Sequence, residues 1–384
     1  MSKIKTFFKR IKSGVQACLK TFKECTPIWC AVTLIIAVIS LVLYGAFVLF
    51  PDFSDFYNRY IGAFFRALFA TISGIAPFSV AETLVMLLPV ILIIIIVKFV
   101  KTARGTLKDM LRAFICTFSV LTMFFSSFSI LFAAGYRGSS LDQKLSLDRQ
   151  NVSSQDLYNT AIYLHEQMEG CFAEITFLSS GHSDMPYSFF EMNDLLQEAY
   201  KKATKKYTFL SNFKSNVKPI ILSEPLTYTH ISGIYTYFTG EANVNTNFPD
   251  YTLPYTAAHE LAHQRGIARE DEANFIAFLA CIESDDPYIR YSGYMSVYEY
   301  VLSALYKADK KLYSSAINSC STFLYNEMLA YNKFFKKYEH NVAATVSGSV
   351  NNGFLQSQGQ SAGVRSYGMV VDLAVAYYKD ITNN

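Results

Sequence analysis

The sequence predicts an α+β chain: three N-terminal membrane-spanning helices followed by a mostly helical domain with a small β-sheet. Three observations predict it. Long uncharged apolar runs lie only before residue 136. From Tyr136 onward charged and polar residues are frequent and mostly follow helical spacing. One stretch, Ile231 to Asn245, is instead rich in β-branched and aromatic residues interrupted by glycines.

The apolar runs come first. Hydrophobic residues make up 51% of the chain and charged residues 17%, against about 25% charged in soluble domains. Ile28 to Phe50 and Ala113 to Gly135 carry no charge, and Phe78 to Val97 carries only Glu82 near one end. About 20 apolar residues in a helix cross a hydrocarbon core of about 30 Å, so spans are expected at about 28–50, 78–97 and 113–135. The first run is too long for a cleaved signal and reads as an anchor. Lys3, Lys5, Lys9, Arg10, Lys12, Lys20 and Lys23 crowd the N-terminus, and Lys98, Lys101, Arg104, Lys108 and Arg112 follow the second span. The positive-inside rule places both segments in the cytoplasm. The organisation expected is a basic cytoplasmic segment (1–27), a membrane domain (28–135) and an extracytoplasmic domain (136–384). The lipid bilayer is the first partner expected, and nucleic acid is not one. Phe53 to Pro77, rich in aromatics, reads either as an interfacial helix or as a short helix packed on the spans. The seven cysteines form no CxxC pair, so no cysteine zinc site is expected.

In the domain that follows, helical periodicity covers Ser154 to Gly170 and Ser188 to Tyr207. Short β segments are expected at Pro219 to Leu222 and within Ile231 to Asn245. Helices return at Tyr255 to Arg265, Glu270 to Glu283, Tyr291 to Tyr306 and Ala308 to Glu339. Val346 to Gly363, rich in Gly, Ser, Asn and Gln, reads as a flexible loop, and Arg365 to Tyr378 as a last amphipathic helix.

The segment Ala257-Ala258-His259-Glu260-Leu261-Ala262-His263-Gln264 carries the chemistry. It is an H-E-x-x-H motif in a helical context. Histidines at i and i+4 leave one helix face together and can grip one ion, expected to be zinc. Glu260 lies beside them, placed to take a proton from water activated by that ion. Gly266 then breaks the helix, and Arg269-Glu270-Asp271-Glu272-Ala273-Asn274 opens another that can fold back with a carboxylate as third ligand.

A helix with H-E-x-x-H followed by one with E-x-x-x-N resembles the gluzincin metallopeptidases. That resemblance implies a zincin-like domain with Glu270 as third ligand and Asn274 orienting a ligand histidine. The string Glu-Asp-Glu-Ala-Asn-Phe-Ile-Ala is also similar to the matching helix of the ImmA/IrrE-type peptidases. Glu272 competes for the ligand position, and only six residues separate His263 from Glu270, a shorter connection than the gluzincin pattern has. More closely, the chain resembles a family of bacterial membrane proteins described as domain of unknown function 3810. The resemblance rests on the spans, Phe-Thr-Gly-Glu-Ala-Asn-Val-Asn, His-Glu-Leu-Ala-His-Gln-Arg-Gly, Glu-Asp-Glu-Ala-Asn-Phe and Ser366-Tyr367-Gly368 to Asp372. It implies a multi-pass zincin in a bacterial plasma membrane and names no substrate.

The expected activity is zinc-dependent hydrolysis of a peptide or other amide outside the membrane, with Glu260 as general base. Substrate contacts are expected from Gly240, Glu241, Asn243 and Asn245, read as an edge strand for an extended peptide or else as an ordinary core strand. Tyr291 or Tyr294 is read as a transition-state donor or as core packing. Two rivals are a receptor or assembly factor with a structural metal, and a cell-wall amidase.

Overall fold

The computed structural model describes residues 2–149 and 151–383. The side chains of residues 2–10, 18, 19 and 383, including the basic groups Lys3, Lys5, Lys9 and Arg10 and the thiol of Cys18, lie outside the described ones. The chain divides into two compact units, Met1–Ala46 with Thr83–Ile130, and Phe47–Glu82 with Leu131–Asn384.

The first unit is helical: α1 (Ser2–Cys25), α2 (Ile28–Leu49), which ends in the second unit, and two further helices. Between them the second unit contributes α3 (Pro51–Phe56), a π-helical turn (Tyr57–Gly62) and α4 (Ala63–Ser73). The chain then enters α5 (Val80–Ala103) and α6 (Leu107–Leu131). Helices α2, α5 and α6 are long and apolar enough to cross a membrane. They start and stop within a few residues of the expected spans, except that α5 runs on through Lys98 and Lys101 and α6 begins at Leu107.

The rest of the second unit is mostly helical with two small sheets. In order it holds α7 (Leu141–Leu145), α8 (Ser154–Glu169), β1 (Thr176–Phe177), β2 (Ser183–Asp184), α9 (Phe189–Lys206), β3 (Val217–Pro219), α10 (Ser223–Thr227), β4 (Gly233–Thr236) and β5 (Glu241–Val244). Then come α11 (Thr252–Gln264), α12 (Glu270–Ile282), α13 (Pro287–Ala308), α14 (Lys310–Asn318), α15 (Thr322–Phe335), α16 (Val342–Ser357) and α17 (Val370–Asn383). Ser153 and Ser188 close capping boxes with Asp156 and Glu191, which is why α8 and α9 start where they do.

The core gathers around α11 and α12. Every side chain from Leu253 to Gln264, and every one from Glu270 to Cys281, is buried. A helix apolar or small on all sides needs neighbours all round. These two have them: each other, α13, α9 and α17, with β4 and β5 flanking α11.

Three expectations are corrected. The segment Gly240 to Asn245 is not an edge: the sheet order is β3-β5-β4, with β5 parallel to β3 and antiparallel to β4, so both sides of β5 are paired. The expected helix Ala308 to Glu339 is two helices, α14 and α15, because Ser321 caps a new start on the amide of Leu324. Val346 to Gly363 is not a flexible loop: most of it is α16, capped by Asn341 on the amide of Ala344 and packed on the 3-10 turn Gly363–Met369. Its glycines and asparagines are poor helix formers, but packing outweighs that weak preference.

Candidate metal centre

The centre is assembled by the turn between α11 and α12. Gly266 has φ +93°, the left-handed region that favours glycine. Its amide bonds the carbonyl of His263 at 2.9 Å, and the amide of Ile267 bonds that of Ala262 at 3.1 Å. This pair of bonds is the Schellman arrangement that ends a helix sharply. The turn also brings the carbonyl of Ile267 to His263 Nδ1 at 2.7 Å. A carbonyl only accepts, so Nδ1 carries the hydrogen and Nε2 presents its lone pair. The short connection between the two helices is thereby what orients one imidazole.

His259 and His263 leave the same face of α11, their ring centroids 4.5 Å apart. Glu270, in the first turn of α12, meets both. Its Oε2 lies 3.3 Å from His259 Nε2 and 3.3 Å from His263 Nε2. Two donors each about 2.0–2.1 Å from one zinc ion, at the tetrahedral angle, stand about 3.3 Å apart. Among the described residues these three form the one group of such donors close enough to share an ion, and all three are buried. Among the described residues, Glu270 Oε2 has no hydrogen-bond partner despite its burial. The donors present therefore fit zinc in type, number and spacing.

Buried charges explain the proton affinities of the metal-free centre. Burial opposes ionisation of Glu270, but the two imidazoles outweigh it and hold the carboxyl well below its usual range. Burial likewise opposes the charge on His263, and Glu270 overcomes it, raising the imidazole to about 9. For His259, burial and its cationic neighbour His263 prevail and lower it. Among the three, His263 therefore holds a proton most tightly.

Glu260 lies against β4 beside the cluster. Burial pushes its carboxyl up to about 8, within reach of a group that takes and returns a proton near neutrality. Its side chain lies on β4: the amide of Tyr235 stands beside it and favours its charged form, and a Cβ at Gly233 would sit 2.5 Å from its Oε1. The site requires a glycine at 233.

His259, Glu260, His263 and Glu270 line one wall of a cavity of about 500 Å³. Phe132, Tyr136, Ile231, Gly233, Ile234, Tyr235, Tyr237, Ser347, Val350, Asn351, Phe354 and Tyr367 complete it. The ring of Tyr367 stacks on that of His259, with centroids 6.4 Å apart and planes 23° apart. Its hydroxyl accepts a hydrogen bond from Asn351 at 3.3 Å and lies beside Glu270. Burial keeps the phenols of Tyr367 and Tyr136 protonated, so both can donate.

The other residues singled out in the sequence lie elsewhere. Glu272 turns away from the cluster: its Oε1 accepts from the amide of Leu141 at 2.9 Å and from Arg269 at 3.0 Å. Asn274 stands beside His259 and favours its charged form. It does not reach hydrogen-bonding geometry on Nδ1, which has no partner; its amide instead donates to the carbonyl of Tyr367 at 3.1 Å. Gly240, Glu241, Asn243, Asn245, Tyr291 and Tyr294 do not line the cavity. Glu241 is a buried partner of Lys218 and accepts from the amides of Val80 and Ala81. Asn243 and Asn245 donate to the carbonyls of Ile234 and Ile231. The carbonyl of Gly240 accepts from Gln264, Tyr291 donates to the buried Glu327, and Tyr294 packs on Phe278. Sequence reasoning missed Gly233, Tyr136 and the α16 residues. Tyr367 lies in the Ser366-Tyr367-Gly368 string, whose pattern alone points to no role in the cavity.

The family described as Protein of unknown function (DUF3810) matches residues 57–375. The chain belongs to this family. The match begins at the π-helical turn before α4 and takes in every residue of the candidate metal centre and its cavity. No curated protein and no solved structure matches this DUF3810 chain.

Proposed function

We propose that this DUF3810 protein is a membrane-anchored zinc metallopeptidase, zincin-like in its catalytic domain, that hydrolyses peptide or other amide bonds outside a bacterial plasma membrane. In this reading α2, α5 and α6 span the bilayer, with the N-terminus inside and the domain after Leu131 outside. The lysines and arginines near α1 and between α5 and α6 support that orientation. One observation carries the hydrolase reading: Glu270 stands 3.3 Å from both imidazoles while Glu260 lines the same cavity beside them.

Zinc held by His259, His263 and Glu270 would polarise the scissile carbonyl and acidify water. Every other part is protein. Glu260 accepts the proton of the attacking water and returns it to the leaving nitrogen. Tyr367 and Tyr136 supply phenolic hydrogens to the oxygen on which charge develops. The outer edge of β4 is unpaired in the sheet and lines the cavity, so an extended substrate can add there as a strand. A purely structural metal would not explain a base packed against Gly233 and open to the cavity.

The test uses the purified full chain. Wild type should carry one zinc and His263→Ala should lose it. Glu260→Gln should keep the zinc and lose hydrolysis of a peptide library. Equal zinc in wild type and His263→Ala sinks the metal centre. Undiminished function in Glu260→Gln leaves only a structural metal. Turnover of cell-wall fragments but not peptides redirects the substrate to the cell wall.

A further inference from the structure

The segment from α3 to α4 has its polarity turned inside out. Its inward positions are Ser54, Gly62, Arg66, Ala70 and Ser73, with Tyr57 the one large ring. Ser54 is 0% exposed and Arg66 1%. Outward, at four-residue spacing, stand Phe56, Tyr60, Phe64, Leu68 and Ile72, and then Ile75; Phe64 is 62% exposed and Ile75 82%. A surface helix in water shows the opposite pattern. The outward Arg59 lies over the ring of Tyr60, 5.4 Å from its centroid, as a basic side chain does at a lipid headgroup.

The buried Arg66 and the half-buried Asn58 are spent on the turn after α11, while Ser54 donates to the carbonyl of Ala134. Arg66 donates to the carbonyls of Asn58, Leu131 and Arg265, and Asn58 donates to that of Gly266 at 2.9 Å. They satisfy carbonyls at the end of α11, where the helix dipole favours a cation. The outward rings have no such use. Along the chain both ends of the segment run into apolar helices, α2 ending at Leu49 and α5 starting at Val80. Phe132, which lines the cavity, directly follows the last residue of α6.

We propose that the face formed by Phe56, Tyr60, Phe64, Leu68 and Ile72 is seated in the lipid surface, so that the cavity opens at the bilayer boundary and takes peptide segments tethered to the membrane. The seat follows from the inverted polarity and from the continuity with α2 and α5. The substrate class rests on the hydrolase reading above, and on the apolar cavity wall formed by Phe132, Ile234 and Phe354.

Two measurements on the full chain in vesicles of phosphatidylcholine and phosphatidylglycerol test it. The chain has one tryptophan, Trp29, in α2. Its quenching by brominated acyl chains in wild type is the control. In a Trp29→Phe background, Phe64→Trp and Phe56→Trp should each lose at least about half their fluorescence in brominated vesicles. Unchanged emission from both overturns the seat. Next, one peptide is offered with and without an acyl tether. Wild type should cleave the tethered form at least about tenfold faster. Phe64→Glu with Leu68→Glu should lose that preference while cleaving the free peptide at the wild-type rate. An unaltered preference in this variant, or equal rates in wild type, overturns the substrate class. Quenching without cleavage of either peptide leaves the seat standing and sinks the hydrolase reading instead.

Discussion

His263 donates its Nδ1 hydrogen to the carbonyl of Ile267, four residues further on, at 2.7 Å. That bond exists because Gly266 turns the chain back, and it fixes which nitrogen faces Glu270. The candidate metal centre is therefore a property of a helix ending as much as of a helix face.

The first prediction concerns Gly266. An alanine there would force a Cβ at φ +93° to within 2.4 Å of Arg66 Nη2 and 2.6 Å of Asn58 Oδ1. Backbone strain of this kind costs about 1–3 kcal/mol, and losing the hydrogen bond behind a ligand weakens metal binding about 10- to 100-fold. Gly266→Ala should show both, by thermal unfolding and by chelator competition for zinc. Wild-type zinc affinity would mean that the turn does not orient His263.

The second concerns pH. Without metal, His263 is raised to about 9 and Glu270 is held well below its usual range. Below pH 9 zinc must displace the proton on His263, so lower pH opposes binding. The zinc dissociation constant should rise about tenfold for each unit of pH lost between about 8.5 and 6.5. Chelator competition across that range measures the slope. A flat profile would remove His263 from the ligand set.

Part of this centre is legible in the sequence, and the reason is locality. Two histidines four apart share a helix face whatever surrounds them, and the acids that open α12 lie a single turn away. Which acid meets the imidazoles depends on the turn: Glu270 faces the cluster while Glu272, two positions on, is rotated to Leu141 and Arg269. The cavity is not legible, because Phe132, Gly233, Asn351 and Tyr367 come from four distant segments with no shared period. Composition misled at α16, where glycine and asparagine read as loop. It misled again at Gly240 to Asn245, whose polar residues serve the sheet and Lys218 rather than a ligand.

The third prediction addresses Gly233. A methyl group there would lie 2.5 Å from Glu260 Oε1 and 2.7 Å from Cγ, so the carboxylate must leave β4. The three candidate ligands, His259, His263 and Glu270, are untouched. Gly233→Ala should retain metal and lose about 10²-fold or more in kcat, the contribution typical of a positioned base. Metal analysis beside peptide turnover separates the two; an active variant would release Glu260 from its role.

The fourth concerns Glu241, buried against Lys218 and bonded to the amides of Val80 and Ala81. Glu241→Gln leaves the Lys218 ammonium buried without its counter-charge, which costs about 3–5 kcal/mol. Thermal unfolding should drop accordingly, whereas KM for peptide in the folded fraction should not change. A raised KM at unaltered stability would restore Glu241 to the substrate site.

The last concerns Tyr367. Its ring packs on His259 while its hydroxyl lies beside Glu270 and Asn351. Phenylalanine keeps the ring and removes only the hydrogen-bond donor. If that donor meets charge developing on the substrate oxygen, Tyr367→Phe should lower kcat about 10²- to 10³-fold while leaving zinc content and KM near wild type. Were the hydroxyl instead only a support for Glu270, zinc affinity would fall and kcat at saturating zinc would not. Tyr136→Phe provides the comparison, since its phenol also borders the cavity near Glu270. The larger kcat loss identifies the donor closer to the reacting oxygen, and equal small losses with weakened metal in both would assign the pair to holding the carboxylate.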